Sequence, residues 1–270
     1  MQKMQRLHVS SWRVTLALLP GLIAGIYIMT ASGPMPQPLS YHNFADNRLF
    51  LGIPHAGDVL TNFAFLIVGA CGWWFLVQPR LSNKSFTDNR ERTLFWWLFT
   101  GVLLTAFGSG WYHLNPKNYS LVWDRLPMAI GFMSIFSIMI AERVSLPLGA
   151  VLLKPLVAIG ILSILWWIWT EHNGRGDLRW YLFVQFYPLI TIALMLLLLP
   201  TAYTRGNDYW GLFILYAVAK IVEILDHEIF QLTNGLVSGH NLKHLFAAAA
   251  AAWILRMLWL RVPRSASETD

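Results

Sequence analysis

The feature that most limits what this chain can become is a series of apolar runs, each about as long as the 20 residues a helix needs to cross a roughly 30 Å hydrocarbon core. Eight of them stand near 12–30, 59–78, 93–113, 121–141, 147–170, 178–199, 209–229 and 240–260. They predict an all-α fold, a polytopic membrane helical bundle. A composition that is 56% hydrophobic and only 13% charged, with 14 tryptophans, is far from that of an average soluble domain and agrees with this reading. A formal net charge of +6 would suit a nucleic-acid partner in a soluble chain. Here the basic residues lie between apolar runs, where they set orientation in the bilayer, so nucleic-acid binding is excluded as a reading. The single cysteine, Cys71, sits inside an apolar run, which rules out an intrachain disulfide and a cysteine metal cluster. A metal site would have to be built from histidine and carboxylate.

The first run admits a second reading, as a secretory signal with "MQKMQRLHVSSWR" as its basic region and "TASG" as small residues for cleavage. The stretch from Val14 to Met29 is long for such a signal and favours a retained span. With the amino terminus in the cytoplasm, the inner segments carry Lys3, Arg6, Arg13, Arg80, Lys84, Arg90, Arg92, Arg143, Lys154, Arg205, Arg256, Arg261 and Arg264. The outer segments carry Arg48, Lys117, Arg125, Arg175, Arg179 and Lys243, and Lys220 is left inside a span. Thirteen against six predicts both termini in the cytoplasm by the positive-inside rule. On this topology the third run ends outside at Ser109 and His113, the fourth begins outside at Asp124, and the eighth begins outside at "HNLKH". All of these groups then share one membrane depth.

Ser109 and His113 are four residues apart in "SGWYH", and so are His240 and His244 in "HNLKH". On a helix each pair projects from one face, one turn apart. Two imidazoles at that spacing can hold one ion, and a third ligand from another helix completes an open zinc site of three protein ligands plus a water. His113 is the natural third. Singly, each residue has an ordinary reading: interfacial histidine, small packing serine, or a helix cap for Asp124 with Arg125 as its ion-pair partner. An ionisable group such as Asp124 in a span more often marks a functional interior.

Taken together, Ser-x3-His, an aspartate eleven residues later, and His-x3-His near the carboxyl terminus resemble the alkaline ceramidase family. That family belongs to a wider set of seven-helix membrane hydrolases that includes the adiponectin-receptor-like proteins. "DVLTNFAFLIVG" around Asn62 is similar to the segment opening the family's first core helix. The resemblance implies a seven-helix core over 58–262, preceded by an amino-terminal helix and outer loop over 1–57 and followed by a cytoplasmic tail over 263–270. It implies zinc held by His113, His240 and His244, Asp124 as the catalytic or water-positioning carboxylate, and Ser109 beside the metal. The activity implied is a zinc-dependent amidase in the membrane, acting on a lipid with an amide-linked acyl chain and releasing a fatty acid and a sphingoid base or related amine. The eukaryotic ceramidases also bind calcium just before their first core helix. The comparable "FADNRLFLGIPHAGD" offers Asp46, Asn47 and Asp58 with Arg48 between them, which is sparse for an ion that takes six to eight oxygens.

The seventh run carries Lys220, Glu223, Asp226, His227 and Glu228. Lys220 and Glu223 are spaced to pair across one helical turn. Asp226 or His227 is placed to orient a metal-bound imidazole from behind. His42, His55 and His172 read as exposed loop histidines. The alanines from Ala247 to Ala252 allow close helix packing, or leave room for an acyl chain. The chain holds no Gly-rich phosphate loop, and "GSG" at Gly108 to Gly110 is no Gly-x-Ser-x-Gly nucleophile motif. Two competitors remain at this level. One is a receptor-like or transport protein of the same seven-helix group with a structural zinc and a lipid-binding cavity; the other is a proton or metal pathway lined by Lys220, Glu223, Asp226 and His227.

Overall fold

Backbone N–H and C=O groups in hydrocarbon have no water to bond, so each run must satisfy its own, and the helix does so within one segment. The computed structural model of the protein describes residues 10–264 and follows that rule. The helices are α1 (Ser11–Ala31), α2 (Ala56–Thr61), α3 (Phe63–Val77), α4 (Pro79–Ser82), α5 (Asn89–Leu114), α6 (Asn118–Arg143), α7 (Leu146–His172), α8 (Arg179–Leu198), α9 (Tyr209–Ile224), α10 (Asp226–Leu232) and α11 (Gly239–Leu260). Among the described residues there is no strand, only two isolated bridging pairs. Lys3, Arg6 and most of the expected basic leader and carboxyl-terminal tail lie outside the described residues.

Among the described residues, seven helices are long and apolar enough to cross a membrane: α1, α2 with α3 as one segment, α5, α6, α7, α8 and α11. The run near 209–229 departs from expectation. It is not one helix but α9 and α10, parted at Leu225. Sixteen residues at 1.5 Å each give α9 about 24 Å, short of a full hydrocarbon core. The break has a physical cause: Asp226 turns its carboxylate onto backbone N–H groups of two other segments, accepting from Ala45 at 2.8 Å and from His240 at 2.7 Å. Gly239 lets α11 start against this junction, because a β-carbon there would stand 2.0 Å from the carbonyl oxygen of Val222.

At the centre of the bundle is α6, which packs against α5, α7 and α8, while α11 packs against α9 and α3. Of the spans, α6 is the most deeply buried, with 72% of its apolar stretch inside the bundle. The α5–α6 hairpin is the tightest joint. A β-carbon at Gly108 would lie 2.0 Å from the carbonyl oxygen of Trp123, so only glycine permits this approach. The connection "LNPKN" is closed by Ser120, whose hydroxyl donates to Asn115 O at 2.7 Å and accepts from Lys117 N–H at 3.0 Å.

Packed along α8, α1 sets Gly21 and Gly25 under the rings of Tyr187 and Phe183. Its carboxyl end is held by Arg179, which donates to Met29 O at 3.0 Å and Ser32 O at 2.5 Å while paired with Asp177 at 2.8 Å. That pairing, acting against the carboxylate's burial, holds the Asp177 carboxyl below its ordinary range. The loop after α1 does not stand apart from the core. Gln37 accepts from Arg125, Phe44 and Asp46 are buried, and the boundary expected between 57 and 58 falls inside α2.

Exposed tryptophans mark the two ends of the bundle. Trp111, Trp123, Trp169 and Trp180 ring the end where α5 finishes and α6 begins; Trp12, Trp73, Trp74 and Trp259 ring the other. Such belts are the signature of headgroup-level anchoring. The second end is closed by buried polar groups. Arg261 meets Glu142 and donates to Ser85 O at 3.0 Å, and Arg143 donates to Leu199 O at 2.6 Å and Gly206 O at 2.8 Å.

Candidate metal centre

Two helices deliver the three histidines. His113 lies in the last turn of α5, and His240 and His244 in the first turns of α11. The start of α11 is set by Ser238, whose hydroxyl accepts from Asn241 N–H at 3.0 Å while the Asn241 side chain accepts from Ser238 N–H at 3.1 Å. This reciprocal cap satisfies two donors that would otherwise be orphaned. It also fixes where the first turn begins, and hence where both imidazoles point.

All three histidines are buried, and their ligand atoms lie within 4.8 Å of one another. The Nε2 atoms of His113 and His240 are 3.3 Å apart. A tetrahedral ion with nitrogen ligands at about 2.0–2.1 Å holds those nitrogens about 3.3 Å from one another, so the separation fits a metal ion. The other faces of the rings are occupied. Phe44, from the loop after α1, lies with its ring centroid 4.8 Å from that of His113 and 4.4 Å from that of His240. It closes the site on the headgroup side.

A second group adjoins the histidines. Ser109 and Asp124 are both buried. Both line one cavity with His244 and Lys243. The cavity measures about 170 Å³, and the rest of its wall is almost wholly apolar, with Phe65, Leu98, Met128, Phe132, Ile192, Leu212 and Phe213 from five helices. Ala247, Ala250 and Ala251 line it as well, so the alanine tract makes room there.

Several expected roles change in the structure. Arg125 is not the partner of Asp124: its guanidinium lies 4.4 Å from the Trp167 ring centroid and 4.7 Å from that of Tyr181, and it donates to Gln37. Asp226 meets backbone N–H groups. Its carboxylate takes the backbone N–H groups of His240 and Ala45, and His227 bonds Asn43 O at 3.0 Å, so both fasten the loop after α1 to α10 and α11. His42 is no free loop histidine, since it bonds the Tyr112 hydroxyl at 2.8 Å and Asn118 at 2.6 Å. His55 bonds Asp46 O at 3.0 Å, while His172 is exposed as expected.

The calcium set does not come together. Asp46 is paired with Arg48 at 2.6 Å, Asn47 is exposed, and Asp58 points inward to Asn241 at 2.6 Å. Burial raises the Asp46 carboxyl, but the hydrogen bonds and charge of Arg48 outweigh it and hold the group below its usual range. Arg48 thus supplies at Asp46 the positive charge a cation would bring.

Three residues carry more than their sequence context suggested. Lys243, between the two α11 histidines, is ion-paired with Glu223 at 2.7 Å, and Glu223 also meets Lys220. Thr61 bonds His244 Nδ1 at 2.9 Å. Asp58 Oδ2 lies 4.0 Å from His113 Nδ1. The "HNLKH" spacing could have flagged Lys243; no local pattern marks Thr61 or Asp58, which reach the site only because α2 packs against α5 and α11.

Fold and site together define a multi-pass helical membrane protein with a buried three-histidine group able to hold a metal ion. No protein-family model matches this chain, and no curated protein matches it either.

Proposed function

We propose that the protein is a zinc-dependent integral-membrane amidase, with both termini in the cytoplasm, that hydrolyses the N-acyl bond of a ceramide-like lipid. Water adds across the C–N bond: the acyl carbon takes the hydroxyl and leaves as a fatty acid, and the nitrogen takes a proton and leaves as a sphingoid base or related amine. The observation that carries the reading is the adjacency of three converging imidazoles to a Ser–Asp pair on the wall of an apolar cavity. Three neutral imidazoles suit zinc, which supplies Lewis-acid polarisation of a carbonyl and a water acidic enough to attack near neutral pH.

The chain's own residues do the rest. Asp124, buried in the cavity wall, accepts a proton from the attacking water and hands it to the departing nitrogen as general base and acid. Ser109 hydrogen-bonds where negative charge develops on the carbonyl oxygen, or steadies Asp124. The apolar wall takes the acyl chain, and Phe44 limits water entry above the histidines.

The test is metal analysis of the purified protein followed by incubation with a panel of N-acyl lipids. Bound zinc, and fatty acid release that stops with a chelator and returns with zinc, supports the amidase. Full turnover in metal-free protein refutes the zinc mechanism, and bound zinc with no turnover on any amide transfers the site to the receptor-like reading.

A further inference from the structure

The three histidines are not the only groups arranged for an ion, because each imidazole that binds through Nε2 must carry its proton on Nδ1, and that proton needs an acceptor. Two of the three Nδ1 atoms face the same short helix, α2. Thr61 has a single hydroxyl proton, directed at Gly57 O at 2.7 Å with Asp58 O at 3.3 Å. Its remaining contact, His244 Nδ1 at 2.9 Å, is therefore one in which the imidazole donates. Hydrogen-bond accounting alone thus leaves the His244 Nε2 lone pair free toward the centre of the triad.

Asp58 stands in the same relation to His113. One carboxylate oxygen accepts from Asn241 Nδ2 at 2.6 Å. The other, Oδ2, is buried with no hydrogen-bond partner among the described residues, and so is His113 Nδ1, 4.0 Å away. A buried donor and a buried acceptor without partners are rare, and 4.0 Å is too long for a hydrogen bond. These two orphans face each other across a gap of about 1 Å beyond bonding distance.

We propose that α2 is the positioning element of the metal site: Asp58 accepts from His113 Nδ1–H and Thr61 accepts from His244 Nδ1–H, fixing both rings with Nε2 toward the ion. This rests on the reading that the histidines hold an ion, and it assigns Asp58 away from calcium. Asp58 and Thr61 are positioning residues, acting through the imidazoles. The same carboxylate holds Asn241, the capping-box partner of Ser238 in α11, so it joins the two halves of the ligand set.

The experiment measures zinc affinity by chelator competition and records the visible spectrum of the cobalt-loaded protein, using the full chain in detergent. An asparagine offers one oxygen, so Asp58→Asn cannot serve both Asn241 and His113. The wild type is expected to bind one ion tightly, and Asp58→Asn to bind it about 10–100-fold more weakly, with an altered cobalt spectrum. Thr61→Val, nearly the same shape without the acceptor, carries the same expectation and stands in if Asp58→Asn fails to fold. Unchanged affinity and spectrum in the folded variants, with a wild type that loads normally, overturn the positioning role and leave the metal reading intact. A wild type that takes up no metal overturns both.

Discussion

His113 and His240, 127 positions apart in the chain, place their Nε2 atoms 3.3 Å from one another. Two buried imidazole nitrogens at that distance are either hydrogen-bonded through one proton or joined by a shared ion, and the third imidazole, His244, makes the second arrangement the fuller one.

Replacing His240 with alanine removes one of the three imidazoles proposed to hold the ion. The expected outcome is metal content reduced to a trace and amide hydrolysis lost, with the helical circular dichroism kept. Retained metal at wild-type stoichiometry would place the ion elsewhere.

Asp124→Asn keeps the shape of the side chain and removes its basicity. The variant is expected to fold and bind metal while its kcat falls by about 10²–10⁴, the usual contribution of a positioned general acid–base. Ser109→Ala is expected to lower kcat by about 10²-fold if the hydroxyl donates to the developing oxyanion. Measuring kcat and KM together separates these from substrate binding: a pure rise in KM for either variant removes it from the chemistry.

Gly108→Ala tests how the hairpin brings Ser109, His113 and Asp124 together. Its β-carbon meets a backbone oxygen, not a flexible side chain, so α5 and α6 must part. Overpacking of this kind costs about 1–3 kcal/mol, and the loss is read as a lower Tm together with weaker metal binding. Gly110→Ala, with open space around the added carbon, serves as the control and is expected to leave both unchanged.

Asp177 and Arg179 give a pH dependence with a definite sign. The folded-state carboxyl of Asp177 is held below its ordinary value, with the hydrogen bonds from Arg179 as the largest cause. A depressed carboxylate contributes stability that is present above the unfolded-state pKa, about 3.9, and lost as pH falls through the lower folded value. The attachment of α1 to α8 should therefore loosen in acid, seen as faster amide exchange in α1. Asp177→Asn should show that looser state at neutral pH and little further change on acidification.

Much of the architecture was legible in the chain itself. Apolar runs of bilayer length mapped onto helices with ends displaced by a few residues, because the free energy of an unsatisfied backbone in hydrocarbon leaves little choice of local structure. The exception was the run from 209 to 229. Its hydrophobicity is ample, but hydrophobicity does not report that Asp226 will bond Ala45 and His240 and part α9 from α10. The His-x3-His and Ser-x3-His spacings were legible too, since a helical period places both members of each pair on one face.

Roles that depend on a partner from another element were not legible. Arg125 follows Asp124 in sequence, yet on a helix adjacent residues diverge, and its guanidinium goes to Trp167, Tyr181 and Gln37. Asp46 and Asp58 stand close in the chain as candidate ligands for one ion. The turn into α2 sends the first to Arg48 and the second toward Asn241 and His113.

By itself the sequence determined that the chain is a helical membrane bundle and which side chains form the candidate metal set, because periodicity and hydropathy are local properties. Only the tertiary structure decided what each polar group faces. In a low-dielectric interior a buried donor or acceptor must find its partner wherever packing puts one, and for His113 and His244 packing put α2 there.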